Sequence, residues 1–235
     1  MNTHTDINTV SSWYKTAGFY KTLVSLGFET ILPFFRGKTL LEIGPADGAM
    51  TELLVKHFSR VTLLEPSTRY ATMLKSRFPH AVIKQGFIES FIPKETYDTI
   101  VMAHVLEHVS NPMSALGNLK KAMNKSSRLI IIVPNADSLH RYLGVAMELL
   151  PKRTALNAYD KKLGHKRVYT KTLLTKHIHK SGLKITHTGG IFIKPLSNDQ
   201  MKSWDSAIIR GLFSIGRKLP DLCSELYVVC RLKPS

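Results

Sequence analysis

The sequence predicts an α/β fold, an open and mostly parallel sheet with helices on both faces. Three observations carry that reading. Short, almost wholly apolar runs alternate with helix-period segments for about a hundred residues, the pattern of strands covered on both sides. The first such run, residues 38–43, opens directly into a glycine turn at 44–48. The second ends in an acid, Glu65, 21 residues after Gly44, where a carboxylate can accept both hydroxyls of a ribose.

The elements follow in order. Residues 11–35 set Trp13, Tyr14, Phe19, Tyr20, Leu23, Leu26 and Ile31 at helix-like intervals, with a break near Gly27 and an end at Pro33. They are read as a helical cap over 1–36, ahead of a main domain over 37–235. Residues 49–58 are helical, 60–65 a second strand, 67–78 a helix, and 81–84 a third strand. The fourth strand is 97–103, the next helix 112–124, and the fifth strand 128–133. After Pro134 the rhythm breaks into a Leu/Met-rich helix (138–150), Pro151 and a basic loop. Together these form an insertion over 135–169, read as a lid. Helical spacing returns at 170–181 and stops at Gly182, a C′ glycine. Residues 183–194 are a sixth strand with a turn at Gly189–Gly190. Met201, Trp204, Ile208, Leu212 and Ile215 mark one amphipathic helix over 199–216, which covers a substrate or forms a homodimer face. Residues 225–231 are a last strand.

Composition narrows the function. Of 235 residues, 43% are hydrophobic and 21% charged, which excludes a disordered chain, collagen and a disulfide mini-scaffold. The aliphatic run at 129–133 is far short of the roughly 20 residues of a membrane span. No apolar signal-peptide core appears in the first ten residues. Two cysteines read as free thiols in a reducing compartment. A cytoplasmic protein without a membrane partner is the expectation. The net charge is +16, and residues 151–187 carry ten Lys/Arg against one acid, Asp160. Lys171, Lys176, Lys180 and Lys184 have the spacing of a solvated helix face. The remainder lies beyond the carboxyl end of the fifth strand, where open parallel sheets bind ligands. A small-molecule or peptide anion is the partner this favours. No interleaved aromatic–basic platform for nucleic acid stands out.

In the glycine turn, Gly44 and Gly48 permit a tight bend and close backbone approach to a ligand, and the helix behind it offers free N–H groups. The spacing Gly44-x-Ala46-x-Gly48, with Glu42 ahead of it, is not the dinucleotide fingerprint, because an acid there sits badly beside a pyrophosphate. Glu42-Ile43-Gly44-Pro45-Ala46-Asp47-Gly48 resembles motif I of the class I S-adenosylmethionine-dependent methyltransferases, with Ala46 at the middle glycine. The resemblance runs over roughly residues 38–194. Glu65 matches the family's ribose acid. Gly86-Phe87-Ile88-Glu89 matches the segment over the adenine, with Phe87 where many members carry Asp. Residues 97–101 and 104–109 match the fourth strand and its loop. Within the superfamily the segment is most like the ubiquinone O-methyltransferase-like and small-molecule tailoring branch.

This resemblance implies a Rossmann-like seven-stranded sheet whose last, antiparallel strand is 225–231. It implies S-adenosylmethionine as cofactor and S-adenosylhomocysteine as product. Cofactor contacts are then expected from Glu42, Gly44, Pro45, Ala46 and Gly48, and from Glu65 and Pro66. Phe87, Ile88, Glu89, Ala103 and His104 would follow, with Tyr14 and Tyr20 capping the site. The activity implied is methylation, at oxygen ahead of nitrogen, of a sugar nucleotide, a natural-product intermediate or a peptide carboxylate. RNA methylation and a non-catalytic binding protein on the same fold are the alternatives.

His104-x-x-Glu107-His108 matches the inverted zinc-protease string, but it follows a parallel strand instead of lying on a helix. Some ubiquinone and small-RNA methyltransferases carry Glu-x-x-Glu-His here and bind a divalent cation. His104 in place of the first acid suits magnesium poorly, since hard cations prefer oxygen. No metal is expected. Methyl transfer is an in-line displacement that needs alignment and dryness, and a base only where the nucleophile keeps its proton. His104, His140 and His165 are the candidate bases. His104, His108, Asn135, His140, Arg141, His165, Arg167 and Tyr169 are the candidate substrate contacts, the arginines as bidentate anion clamps.

Overall fold

Over residues 18–233, the part of the chain that the computed structural model describes, seven strands pair into one sheet. They are β1 (Thr39–Ile43), β2 (Arg60–Glu65), β3 (Val82–Gln85), β4 (Tyr97–Ala103), β5 (Met123–Pro134), β6 (Leu183–Ile191) and β7 (Glu225–Leu232), in the order β3-β2-β1-β4-β5-β7-β6. β1 to β5 pair in parallel, and β7 runs antiparallel between β5 and β6. The expected seven-stranded architecture is therefore the observed one.

Successive residues of a strand point to opposite faces, and here both faces are buried. Leu40, Leu63, Val101 and Ile130 enter one core and Leu41, Leu64, Ile100 and Ile131 the other. The first core is closed by α1 (Phe19–Ile31), α2 (Ala49–Leu54), α3 (Thr68–Arg77) and, further on, α9 (Ser206–Gly216); the second by α4 (Pro112–Lys121) and α7 (Lys171–Lys180). Several helix starts have a local cause. Ser67 caps α3, Asn111 with Pro112 starts α4, and Thr170 caps α7, each side-chain oxygen taking an otherwise orphaned N–H. Gly182, at φ +79°, follows α7.

The structure corrects several boundaries. The helix expected over 49–58 ends at Leu54. The helix over 112–124 ends at Lys121, because β5 begins at Met123 and pairs with Tyr97. The helix over 138–150 is α5 (Leu139–Ala146), and the basic loop holds a short α6 (Ala158–Lys162) started by an Asn157/Asp160 capping box. Gly189 and Gly190 are not a turn. They lie inside β6 opposite Tyr227 and Leu226. A Cβ on Gly190 would stand 2.2 Å from the Pro220 carbonyl oxygen, so a glycine here admits a neighbouring backbone. The helix over 199–216 is two, α8 (Asn198–Met201) and α9, because Asp205 accepts the Ala207 N–H and starts a new helix. The restart shifts the phase. Ile209, Phe213 and Gly216 face inward, while Ile208 and Ile215 of the expected stripe are 53% and 46% exposed.

Gly48 both caps α2 and lets it pack. Its φ is +76°, and a Cβ there would lie 2.7 Å from the Phe78 ring and 3.0 Å from Leu74. Left-handed backbone and overpacking each carry a cost, so Gly48→Ala should destabilise by about 2–4 kcal/mol, read as a fall in the urea midpoint at unchanged slope.

Candidate active site

The carboxyl ends of β1, β2 and β4 open onto two adjoining cavities of about 820 and 50 Å³. Both are lined by Ile43, Gly44, Ala46, Ala103 and His104. The turn after β1 makes this possible. Gly44 (φ +64°), Ala46 (φ +50°) and Gly48 are all left-handed. A Cβ on Gly44 would meet Val105 at 2.5 Å, so the turn lies hard against the loop after β4. Ala46 adopts a conformation that costs a side-chain-bearing residue about 1–2 kcal/mol. Its N–H, turned inward, donates to Glu65 Oε2 at 3.1 Å.

Glu65 is thereby aimed. Its other oxygen accepts the Ser67 N–H at 2.9 Å, and each oxygen keeps a lone pair for a further donor. Burial pushes its pKa up to about 7, against the pull of those two bonds. Glu42 lies deeper, accepts the Thr51 hydroxyl at 2.7 Å, and is pushed by burial to about 8. Glu42 is thus mostly protonated near neutral pH, and Asp47 and Glu225, which also line the small cavity, supply the acidic setting for a cationic group. The large cavity continues past Pro66, Phe87, Ile88 and Glu89 to His108, Leu163 and Lys166. Pro45 and Tyr20 line the small one, and Tyr20 stands edge-on to His104 with ring centroids 6.1 Å apart. Gly48 lines neither and is a packing residue. Tyr14 and Trp13 lie outside the described residues.

His104, at φ +55°, sits where the cavities meet. Its Nε2 is 3.0 Å from Glu225 Oε1 and its Nδ1 3.5 Å from Glu107 Oε1. Burial favours the neutral ring, but the Glu225 charge and the contacts with both acids prevail and lift its pKa to about 10. Near neutral pH both nitrogens carry protons, so the expectation of a free general base at His104 is corrected. His140 and His165 line neither cavity. Burial, together with the Lys194 and Arg141 charges, drives His140 down to about 3, and His165 Nδ1 is 3.2 Å from Asp160 Oδ1.

Most expected substrate contacts are structural. Arg141, 5% exposed, donates to the carbonyls of Arg153 and Ala155 and pairs with Asp160 at 3.3 Å. Arg167 donates to the Leu106 and Val109 carbonyls and so pins the loop after β4. Asn135 donates to the Asp221 and Cys223 carbonyls and accepts the Asp137 N–H. Tyr169 is fully buried with its hydroxyl 3.1 Å from His177 Nδ1. Of the eight, His104 and His108 line these two cavities, and Lys166 is the one Lys or Arg in their lining. The anion clamp is corrected accordingly, because its guanidinium groups are committed to backbone carbonyls and Asp160.

Glu225 escaped the sequence reading. Its signal was slight, a lone acid opening a strand that is apolar as far as Cys230. Because β7 is antiparallel and pairs Glu225 with Pro134, its first residue reaches the edge where the parallel strands end. Cys223 and Cys230 are buried free thiols, and among the described residues no helix is long and apolar enough to cross a membrane.

The family described as "Methyltransferase domain" matches residues 15–188. The chain is 26% identical over 214 residues to the ubiquinone biosynthesis O-methyltransferase of Coxiella burnetii, covering 83% of this chain and 87% of that one. It spans 52% and 64% of the length of two other curated relatives, uncharacterized methyltransferases. Among solved structures, a SAM-dependent methyltransferase from Thermotoga maritima superposes with a TM-score of 0.61 at 17% identity, covering 91% of this chain and 93% of that one. The N-methyltransferase NodS of Bradyrhizobium japonicum, solved with S-adenosyl-L-homocysteine, gives 0.56 at 18% identity, covering 92% and 88%.

Proposed function

This chain belongs to the methyltransferase-domain family, and from that premise we propose that it transfers a methyl group from S-adenosylmethionine to a small molecule. The observation that carries the reading is the pairing of Glu65 with the left-handed turn at Gly44–Ala46 on one cavity wall. Glu65 accepts the ribose hydroxyls. The turn lets the cofactor approach the backbone. Glu42, Asp47 and Glu225 face its ammonium and sulfonium end through the small cavity. The reaction moves CH₃⁺ from sulfur to an acceptor lone pair, and the chain's part is to align the two and exclude water. His104, doubly protonated and held by two acids, orients groups at the junction and does not abstract a proton.

For the acceptor we keep oxygen, supported by the likeness to the Coxiella O-methyltransferase over most of both chains. The cavity walls of Val105, Val109 and Leu163, away from the segment assigned to the adenine, suit a largely apolar acceptor. Lys166 at the rim can meet one anionic group. The internal pairing of Arg141 and Arg167 weighs against a polyanion such as RNA. Isothermal titration with S-adenosylhomocysteine tests the cofactor half. Micromolar binding is expected, and none at millimolar ligand would end the reading. Label transfer from methyl-tritiated cofactor into metabolite fractions tests the rest.

A further inference from the structure

Basic and aromatic side chains from distant parts of the chain meet along β7 and its edge neighbour β6, on the α1 side of the sheet. Side chains alternate between faces along a strand. Ile130 and Val229 enter the core under α1 and Leu183 enters the other, so Arg128, Arg231 and Lys184 point to the α1 side. Lys184 pairs with Arg231, and the Leu129–Cys230 pair sets Arg128 beside Arg231 at the next position. Thr99, the β4 partner of Arg128, exchanges hydrogen bonds with the main chain of Arg36. The four cations thus form a row across the amino-terminal edge of the sheet. No ion pair among the described residues includes any of them. Burial and the neighbouring Arg36 and Arg231 charges hold the Arg128 guanidinium below its ordinary pKa. Asp98, an acid of the same edge, is taken up by the Lys38 and Thr39 N–H groups and the Thr39 hydroxyl. A β-bulge between Ile185 and His187 shifts the alternation by one residue, which brings His187 to the same side as Lys184. The exposed His187 ring meets Phe34, in the turn after α1, with centroids 4.7 Å apart, and Phe34 meets Tyr227 at 5.9 Å. Tyr227 lies over Gly189, where a Cβ would stand 2.7 Å from its ring.

We propose that this surface docks single-stranded nucleic acid, with the cation row on the phosphates and the ring line beneath unstacked bases. Like charges set side by side without a carboxylate repel one another, and a phosphate chain relieves that repulsion. The rings narrow the choice of polyanion. Base–aromatic stacking needs a base free of its own stack, which a duplex does not offer. An acidic peptide or an anionic bilayer would use the cations and leave the rings idle. Tyr227 and Arg231 lie on one face of β7 four residues apart, about 13 Å, so rings and cations are within reach of a short stretch of one strand. The elements that supply them come from residues 34–36, 128, 184–187 and 227–231, and no single window of the sequence holds the pattern. None of the seven side chains lines either cavity. The surface is therefore a docking site apart from the methyl-transfer pocket, and the inference does not depend on that reading.

The test is fluorescence anisotropy of tag-free, full-length protein with a labelled oligouridylate of about 12 nucleotides, a length within the range of one binding groove. Binding at low salt should weaken with a log–log salt slope of about −2 to −3, the value for three or four phosphate contacts on a single strand. A hairpin duplex of equal charge should bind at least about 10-fold more weakly, since its bases cannot reach the rings. Vesicles rich in phosphatidylglycerol should not compete at equal phosphate. Arg36→Gln and Lys184→Gln should each lower the steepness of the slope by about 0.7. His187→Ala should weaken binding about 5- to 100-fold at unchanged slope, the loss of one stacked base. Lys176→Gln/Lys180→Gln, on α7 against the other core, removes as much charge as Arg36→Gln/Lys184→Gln and should leave the affinity within about twofold. Circular dichroism and S-adenosylhomocysteine titration verify that each variant folds, and if Arg36→Gln does not, Lys184→Gln and His187→Ala decide. Absence of binding by the wild type overturns the proposal. So does equal affinity for the duplex, competition by the vesicles, or wild-type affinity in folded His187→Ala. An equal loss in the α7 pair would reduce the effect to net charge and overturn it as well. Each of these can occur with cofactor binding intact, which separates this failure from failure of the methyltransferase reading.

Discussion

Glu65→Gln should weaken S-adenosylhomocysteine binding by about 10- to 100-fold, the range expected when a hydrogen-bonded charged acceptor is lost. The carboxylate already accepts from Ala46 and Ser67, one bond per oxygen, which fixes its plane and leaves two lone pairs toward the cavity. An amide in its place has one oxygen and an NH₂ that points a donor at the Ala46 or Ser67 N–H. The same geometry sets a pH dependence. With a pKa near 7, wild-type Glu65 is protonated in mild acid and lacks the second acceptor. Affinity should rise from pH 6 to pH 8 with a midpoint near 7, and Glu65→Gln should be flat across that range. Affinity that stays level in the wild type, or a twofold loss in the variant, contradicts the role given to Glu65.

Stability without ligand should move the other way. Burial raises the folded pKa of Glu42 to about 8 and of Glu65 to about 7, both above the ordinary carboxyl range. A raised group takes up its proton on folding, so its contribution is complete below the unfolded pKa and is lost as pH climbs through the folded one. The ligand-free Tm should therefore fall between pH 6 and pH 9. The stabilisation added by saturating S-adenosylhomocysteine should grow over the same interval, because only the ionised Glu65 binds the diol fully. Differential scanning calorimetry at the two ends of that range reads both slopes, and a ligand-free Tm rising over the interval would contradict the assignment.

What the sequence made legible follows from what depends on neighbours. β1, β2, β4 and β5 announce themselves because burial on both faces leaves Leu, Ile and Val no alternative. Gly44 and Glu65 are fixed by their distance along one β-α-β unit, so spacing alone locates them. The inward face of α9 was not legible, because its phase is set by Asp205 restarting the helix after α8, a single hydrogen bond. Glu225 depends on β7 being inserted antiparallel between β5 and β6, which no local pattern encodes. The basic segment was misread for a related reason. Composition counts charges but not partners, and for Arg141 and Arg167 most of the partners are main-chain carbonyls.

Arg141→Met should cost about 3–5 kcal/mol of folding stability, the usual penalty for removing one member of a buried ion pair. Arg141 is 5% exposed and gathers the Arg153 and Ala155 carbonyls and Asp160 around one guanidinium. Methionine fills the volume but satisfies none of them. Asp160, which also accepts the Asn157 N–H of the capping box and faces His165, is then left buried with too few donors. The double variant Arg141→Met/Asp160→Asn should recover part of the loss, since removing the second charge removes the uncompensated one. A substrate clamp predicts a different pattern. It would leave the urea midpoint within about 0.5 kcal/mol, the range of an uninvolved surface site, and raise KM alone. The folded fraction of Arg141→Met should still bind S-adenosylhomocysteine as the wild type does, because Glu65 and the turn at Gly44 line cavities that Arg141 does not, and Glu65 hydrogen-bonds Ala46 and Ser67, not the groups around Arg141. Unfolding curves and cofactor titrations on the same preparation therefore separate a residue that builds the wall of the site from one that reaches into it.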